Sequence, residues 1–193
     1  MLKHSDHKAL KFTVIVVTSL SVASCAGVDT NEANYSDDYI NALESYQGTP
    51  TSGPIALATF IDAISDLKHE DSATRLENAY AETLYFNDTI HTYTDRDLLI
   101  EYLLKTAERV ESIDVEVHDI ASNNNDYYIR WVMKMRFEIS NDMIDSTSIG
   151  MSHIRVNEQG KVVLHQDYWD GVQGLYRHIP VVGYLLGKVQ AKM

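Results

Sequence analysis

Cysteine and basic residues are scarce in this chain of 193 residues, and each scarcity excludes a class of protein. Cys25 is the only cysteine, so the chain cannot form an intramolecular disulfide or a metal site built from several cysteines. There are 28 Asp and Glu against 16 Lys and Arg, and a surface with a formal net charge of −12 repels nucleic acid and anionic lipid head groups. The sequence has no Gly-rich phosphate loop and no His-x-His or His-x-x-x-His spacing, so we expect neither a cofactor nor a metal.

The single cysteine closes a short apolar run near the N-terminus. Three lysines precede this run, residues 12–23, which is too short to span a bilayer as a permanent helix. The run leads into Val22-Ala23-Ser24-Cys25, which resembles a bacterial lipobox, where the cysteine is diacylated and becomes the new N-terminus. An ordinary secretory signal peptide cut near Ala26 is the alternative. We expect residues 1–24 to be a lipoprotein signal peptide and Cys25 to carry the lipid.

Lipidation at Cys25 implies a place in the bacterial cell envelope. A chain this acidic would need the lipid to hold it on a membrane. Ala26, not an aspartate, follows the cysteine. The lipoprotein resemblance then implies the outer membrane, on its periplasmic side, in a Gram-negative cell. An acylated Cys25 also leaves the mature chain without a thiol nucleophile.

Residues 25–53 are predicted to be an acidic, flexible tether. From residue 26 to residue 53 there are acidic residues but no basic ones, and a run rich in Gly, Thr, Ser and Pro follows from residue 48. One marginal helical turn, with Tyr39, Ile40 and Leu43, is all the order that we expect there. A single domain would then occupy residues 54–173, with a C-terminal helical tail over residues 174–193.

Hydrophobic periodicity changes along this domain from helical to strand-like, which predicts an α+β fold. Helical spacing predicts helices over residues 54–67 and 72–81, and a third helix from an Asp95 cap to residue 110. Between the second and third helices, residues 83–94 predict one strand with a bend at Asn87-Asp88. Alternation with a period of two then predicts four antiparallel strands, over residues 113–118, 127–139, 142–156 and 162–170.

The last of these strands carries the most reactive side chains. Alternation sends His165, Asp167 and Trp169 to one face, so that an imidazole, a carboxylate and an indole lie in a row. A carboxylate beside an aromatic ring in a partly dry site suits general acid–base chemistry. An edge strand with a solvated aspartate is the plainer alternative.

The turn at Gly160-Lys161 followed by His165-Gln166-Asp167-Tyr168-Trp169-Asp170 resembles the last strand of SnoaL-like members of the nuclear transport factor 2-like superfamily. Ketosteroid isomerases, polyketide cyclases and limonene epoxide hydrolases belong to that superfamily. The resemblance covers roughly residues 55–171. It implies a cone-shaped, curved antiparallel sheet wrapped by the three N-terminal helices, with a pocket inside. It implies no single activity, because this fold hosts enzymes and non-enzymes.

Limonene epoxide hydrolases offer a template for the pocket. They hold a water with a Tyr-x-Asn pair on the first strand and an Asp on the last strand, and an Arg-x-Asp on the middle strand supplies the acid. The resemblance assigns the pair to Tyr85 and Asn87 and the base to Asp167. The middle strand departs from the template because Val132 stands where the acid would follow Arg130. An epoxide hydrolase is therefore not favoured.

What remains is a pocket with one candidate base. Asp167 could remove a proton α to a carbonyl, with His153 on the neighbouring strand as its partner and Tyr85 as a donor to the developing oxyanion. Structural roles for His153 and Tyr85 are the alternative. The expected catalytic residues are Asp167, Tyr85, Asn87 and His153. The residues expected to line the pocket are Trp131, Met133, His165 and Trp169.

Two functions follow from this pocket. The first is an envelope lipoprotein that binds a small apolar ligand without catalysis, which the apolar face of residues 127–139 and the missing second acid favour. The second is a small-molecule isomerase, cyclase or hydrolase with Asp167 as general base. In the tail, an apolar stripe after Pro180 is expected to close the mouth of the domain or to form a homodimer seam, with an interfacial membrane helix as the alternative.

Overall fold

The computed structural model of the protein describes residues 35–50 and 57–193. The predicted signal peptide and Cys25 lie outside the described residues, as do residues 51–56. The described residues between Tyr35 and Met193 form one compact unit, which includes the C-terminal tail.

The described residues form a six-stranded curved sheet with helices before, within and after it, which confirms the predicted α+β fold. The helices are α1 Tyr35–Ser45, α2 Ala58–Ser65, α3 Ser72–Ala79, α4 Arg96–Glu108, the short α5 Gly171–Gly174 and α6 Pro180–Gln190, with a 3-10 turn at Tyr176–His178. The strands are β1 Tyr80–Asn87, β2 Thr92–Asp95, β3 Ser112–Asn123, β4 Asp126–Ile139, β5 Asp142–Val156 and β6 Val162–Trp169.

β6 lies inside the sheet, between β1 and β5, because the strand order is β2-β1-β6-β5-β4-β3. It pairs in parallel with β1 and antiparallel with β5. The other neighbouring strands are antiparallel. The last strand therefore returns beside the first, and the alternative of an edge strand carrying a solvated Asp167 is wrong.

The single bent strand predicted over residues 83–94 is two strands, β1 and β2, joined by a tight turn. Asp88 stabilises this turn, because its Oδ1 accepts hydrogen bonds from the backbone N–H of Ile90 at 2.9 Å and of His91 at 2.7 Å. Thr89, between Asp88 and Ile90, has a positive φ of 74°. The bend lies at the predicted position, but the chain reverses there, so that β1 and β2 pair as antiparallel strands.

The inner face of β4 is apolar, as its alternation predicts. Trp131 and Phe137 are buried on this face, whereas Arg136 on the alternate face pairs with acidic residues at the surface. Gly150 lies opposite Trp131 on β5. A Cβ at Gly150 would come within 2.3 Å of the indole ring, so this position leaves no room for a larger residue.

Residues 35–50 pack on the domain, which corrects the prediction of a flexible tether there. α1 covers the outer face of the sheet, the face opposite to the interior, where Ala42 packs with Tyr85 and Leu164. The Tyr39 hydroxyl and His153 Nδ1 are 2.8 Å apart in a hydrogen bond. Apolar residues at helical spacing in α1 pack against an apolar patch of the sheet. Burial of these residues stabilises the helix on the domain, although the acidic composition of the segment predicted a flexible tether.

α6 begins at Pro180, within the helical tail predicted over residues 174–193, and none of its residues is buried. It packs against the preceding 3-10 turn, where a Cβ at Gly183 would come within 2.1 Å of the Arg177 carbonyl oxygen. Leu175 and Ile179, just before α6, line the interior, but the structure does not place α6 itself over it. No helix within the described ranges is long and apolar enough to cross a membrane.

Candidate functional site

A cavity of about 400 Å³ lies between the inner face of the sheet and helices α2 and α4. Its wall is mainly apolar and includes Phe86 from β1 and Leu103 from α4. The four residues that the sequence assigned to the pocket all line it: Trp131, Met133, His165 and Trp169.

Asp167 is the polar centre of this cavity. Its Oδ1 accepts hydrogen bonds from Ser152 Oγ at 2.5 Å and from His165 Nε2 at 2.7 Å. Ser152 and His165 are buried, and the Asp167 side chain is only 16% exposed. Both bonds go to Oδ1, and no side chain or backbone group within the described residues donates to Oδ2. One oxygen of a nearly buried carboxylate is therefore left for a molecule in the cavity.

Two further donors fix the partners of Asp167. The Tyr80 hydroxyl donates to His165 Nδ1 at 2.8 Å, and Trp131 Nε1 donates to Ser152 Oγ at 2.9 Å. With Asp167 as the acceptor and a neutral imidazole, the proton lies on Nε2, and each bond in the series then joins a donor to an acceptor. Burial, and after it the negative charge of Asp167, raises the pKa of Tyr80 well above its ordinary value, so its hydroxyl stays protonated.

Aromatic rings restrain the imidazole of His165. The ring centroids of Phe60 and Phe86 lie 5.2 Å and 5.0 Å from that of His165, both nearly perpendicular to it. Packing against these two rings opposes rotation of the imidazole away from Asp167. The carboxylate orientation is therefore set before any ligand arrives.

Asp88 adds a second carboxylate to the cavity wall, but its oxygens already have partners. Its Oδ1 holds the turn after β1, and its Oδ2 accepts from the Tyr102 hydroxyl. Burial, followed by this bond to Asp88, raises the pKa of Tyr102, so the phenol stays protonated. Trp169 Nε1 donates to the Asp88 carbonyl oxygen at 2.8 Å, which fixes the indole in the wall.

Tyr85 and Asn87 face away from the cavity. The Tyr85 hydroxyl donates to Gln166 Oε1 at 3.1 Å, and Gln166 Nε2 donates to Asn87 Oδ1 at 3.0 Å. Gln166 is next to Asp167 on β6, so it points to the opposite face, under α1. The water-holding pair that the resemblance implied is therefore not assembled at Asp167, and Phe86, between its two members, lines the cavity instead.

His153 also lies on the outer face, away from Asp167. Its Nδ1 bonds to the Tyr39 hydroxyl, and its Nε2 bonds to Asp126 Oδ1 at 2.7 Å. Arg155 Nε donates to the same Asp126 oxygen at 2.6 Å. Burial lowers the pKa of His153 and outweighs the opposing effect of Asp126. The expected role of His153 as partner of Asp167 is thus not supported by its position.

A β-bulge in the pairing of β5 with β6, whose extra residue is Val163 on β6, decides which residues of β5 share a face with Asp167. If the pairing next to the turn continued unbroken, His153 would lie opposite His165, on the inner face. The bulge shifts the register by one residue, so Ser152 lies opposite Asp167 instead. A single extra residue on β6 therefore places Ser152 opposite Asp167, where unbroken pairing would place Met151.

Sequence reasoning missed Tyr80 and Ser152. Tyr80 falls inside the helix predicted over residues 72–81, but α3 ends at Ala79 and the backbone is extended from Tyr80. The β-branched and aromatic residues that begin at Tyr80 were the available signal. Ser152 has no such signal, because its place depends on the bulge. Within the described residues, no group of three or more His, Cys, Asp or Glu side chains is placed to hold a metal ion.

Comparison with known proteins decides the family. A sequence profile of the SnoaL-like domain matches residues 57–165, more than half of the chain. The chain belongs to the SnoaL-like family. The match ends at His165, two residues before Asp167. The assignment of Asp167 to the site therefore depends on the geometry of the cavity.

Solved structures share the fold of this SnoaL-like domain at low identity. A protein from Shewanella denitrificans, proposed to be a SnoaL-like polyketide cyclase, has 16% identity and a TM-score of 0.54, covering 62% of this chain and 93% of its own. A protein of ketosteroid isomerase-like fold from Catenulispora acidiphila, in complex with trimethylamine, has 14% identity and a TM-score of 0.54, covering 64% and 92%. TsrD from Streptomyces laurentii has 12% identity and a TM-score of 0.54, covering 66% and 96%. Identities this low show the fold alone.

Proposed function

We propose that the cavity binds one small, largely apolar molecule and that Asp167 receives a hydrogen bond from its polar group. The observation that carries this proposal is the carboxylate itself, whose Oδ1 is held by Ser152 and His165 while its Oδ2 has no protein donor. A ligand hydroxyl or N–H that reaches Oδ2 gains a charge-assisted bond in apolar surroundings. The cavity volume of about 400 Å³ lies in the range of small-molecule sites.

Native mass spectrometry of the purified protein, which detects a co-purified small molecule, is the first test. The second compares 2-naphthol with naphthalene, because the two differ only in one hydroxyl donor. We expect 2-naphthol to bind more tightly, and we expect Asp167→Asn to reduce that preference by about tenfold or more, the value of a hydrogen bond to a charged group. Binding of both probes that is identical in the two proteins would contradict the proposal.

Tyr85→Phe is the matched control for this comparison. It also removes a hydrogen bond from a strand beside β6, but on the outer face of the sheet. We expect it to leave the preference for 2-naphthol unchanged. If Tyr85→Phe reduced the preference for 2-naphthol as much as Asp167→Asn does, the probe would bind on the outer face of the sheet, which would contradict the proposal.

Proton transfer is the second candidate function, and the fixed orientation of the carboxylate favours it. In that reaction Asp167 Oδ2 would take a proton from a carbon α to a ligand carbonyl, which leaves an enolate. Tyr85, the donor that the sequence offered for the enolate oxygen, and His153, the partner that it offered for Asp167, both lie on the outer face. Binding without catalysis is for that reason the first candidate.

A ketone probe separates the two candidates. In D₂O, an enzyme of this kind would exchange the α protons of 2-tetralone for deuterium faster than buffer does, and Asp167→Asn would abolish the acceleration because an amide is not a base. Proton NMR follows the exchange directly. If the wild-type protein binds 2-tetralone without accelerating exchange, the domain is a binding module for such ketones.

We also propose that the protein is an envelope lipoprotein with its lipid on Cys25. The support comes from the sequence, namely the basic start, the short apolar run and Val22-Ala23-Ser24-Cys25. Metabolic labelling with palmitate should mark the wild-type protein and not Cys25→Ser, which should be released or mislocalised. Labelling that survives this substitution would contradict lipidation at Cys25.

A further inference from the structure

α6 presents an apolar surface that no described residue covers. Val181, Tyr184, Leu185 and Val189 are between 56% and 71% exposed. At 100° per residue these four side chains fall on one side of the helix. Four exposed apolar side chains on one side of a helix form a contiguous apolar face, which indicates a binding surface.

The same segment is basic, although the protein as a whole is acidic. All 28 Asp and Glu residues lie at or before Asp170. The residues that follow include Arg177, Lys188 and Lys192, with no acidic side chain among them. Among the residues that the structure describes, the C-terminal segment is thus the part whose charge attracts an anionic surface, whereas the acidic remainder is repelled by it.

We propose that α6 binds the surface of a membrane that contains anionic lipid, lying in the plane of the membrane with its apolar face inward. The helix has 11 residues and is therefore about 16 Å long, too short to span the hydrocarbon core. An interfacial helix combines apolar residues on one face with lysines that meet lipid phosphates. α6 and the residues after it supply both features.

The position of Lys188 favours a membrane over a second copy of the chain. Lys188 lies within the arc of the apolar face, and its Nζ is 5.4 Å from the centre of the Tyr184 ring. At a membrane surface the stem of a lysine lies among apolar groups while its ammonium reaches the head groups, and tyrosine is enriched at the same depth. The centre of a protein interface instead excludes lysine, and two-fold pairing through this face would bury two copies of Lys188.

A fluorescent label at single positions of α6 tests the proposal directly. In the full chain with Cys25→Ser, a cysteine at Leu185 or at Gln190 is the sole attachment point, since the protein has no other cysteine. Leu185 lies on the apolar face and Gln190 on the opposite side. With vesicles of phosphatidylcholine and phosphatidylglycerol, the label at Leu185 should shift to shorter wavelength and be quenched by brominated acyl chains, while the label at Gln190 should respond much less.

Binding of the unlabelled full chain to the same vesicles gives the second measurement. Lys188→Glu should weaken binding at least roughly fivefold, the effect of one basic residue near an anionic surface. Leu185→Asp should also weaken it. Leu98→Asp, at a residue that is 55% exposed on α4, is the matched control and should bind like wild type. Residues 12–23 are common to all these proteins, so any binding that they contribute cancels in the comparison.

Three outcomes would overturn the proposal. The first is equal quenching at Leu185 and Gln190. The second is binding that is the same for vesicles with and without phosphatidylglycerol, or the same for Leu185→Asp and Leu98→Asp. The third is sedimentation equilibrium showing that Leu185→Asp converts a dimer to a monomer while vesicle binding is unchanged, because a second copy would then cover the face. None of these results depends on what the cavity binds.

Discussion

Replacing Asp167 with two different residues separates its role in the fold from its role in the cavity. Asp167→Ala removes both oxygens, whereas Asp167→Asn keeps the shape and one acceptor oxygen. In Asp167→Asn the amide oxygen can still accept from Ser152 and His165, and the NH₂ group then takes the place of Oδ2. The two variants therefore differ in the hydrogen bonds within the protein, while both remove the negative charge.

The structure sets the expected size of the two effects. Without an acceptor at residue 167, the buried donors of Ser152 and His165 lose their partner, and each unmade bond costs about 1–3 kcal/mol. We expect Asp167→Ala to lower the free energy of unfolding by about 2–5 kcal/mol. Asp167→Asn keeps these bonds in weaker form and removes the cost of holding an anion in an apolar wall. Its stability should lie within about 1 kcal/mol of wild type.

Urea unfolding at neutral pH measures both values. The two tryptophans of the chain, Trp131 and Trp169, both line the cavity, so their fluorescence reports on this site. Asp119→Ala is the control, because the Asp119 side chain is 59% exposed and pairs with Arg130 at the surface, a contact worth less than about 1 kcal/mol. Equal losses for the Asn and Ala variants would mean that the charge of Asp167 stabilises the fold, and the proposed ligand contact would lose its main support.

Three further predictions test the packing around the site. Trp131→Ala should cost about 3–5 kcal/mol in urea unfolding because the ring is buried, and Arg136→Ala on the alternate face should cost much less; equal losses would mean that the register of β4 is wrong. Gly150→Ala should cost about 1–3 kcal/mol, since its Cβ would lie 2.3 Å from the indole, and an unchanged midpoint would contradict that contact. Burial lowers the pKa of His153 below its ordinary value of 6.5, so the unfolded chain binds this proton more readily than the folded protein does. The free energy of unfolding should therefore fall as the pH drops below about 6.5, and it should fall less in His153→Gln. Equal pH profiles for the two proteins would contradict this assignment.

Much of the fold could be predicted from local sequence. The strand predicted over residues 142–156 has the same bounds as β5, and the apolar face of β4 follows from simple alternation. Asp95 caps α4 as predicted, with its Oδ1 accepting from the Leu98 N–H at 3.0 Å. These features depend on neighbours within a few residues, which a periodicity analysis captures. α1 was missed because its stability comes from contact with β1 and β6, which are distant in sequence.

The candidate site could be predicted only in part. Alternation along β6 is a local property, so it placed His165 and Asp167 together correctly. Tyr85 was assigned to the cavity by the resemblance and His153 by its place on the neighbouring strand, but irregular register across the sheet decides which face each residue occupies. Bulges interrupt the pairing of both β1 and β5 with β6, and a one-residue shift reverses which side chains point inward. No pattern within either strand reports such a shift.

The two faces of β6 have different tasks, and this difference explains why one polar cluster is closed and the other open. On the outer face, Asp126 Oδ1 is bonded by both His153 and Arg155, and these bonds hold the pKa of its carboxyl low although burial acts to raise it. α1 covers that cluster, so its polar groups satisfy one another within the protein. On the inner face, two different donors, Ser152 and His165, bond Asp167 Oδ1, and Asp167 lines the open cavity. A carboxylate in a mainly apolar wall loses part of its hydration, which opposes stability, and the ligand proposed for this cavity would supply a donor to Oδ2.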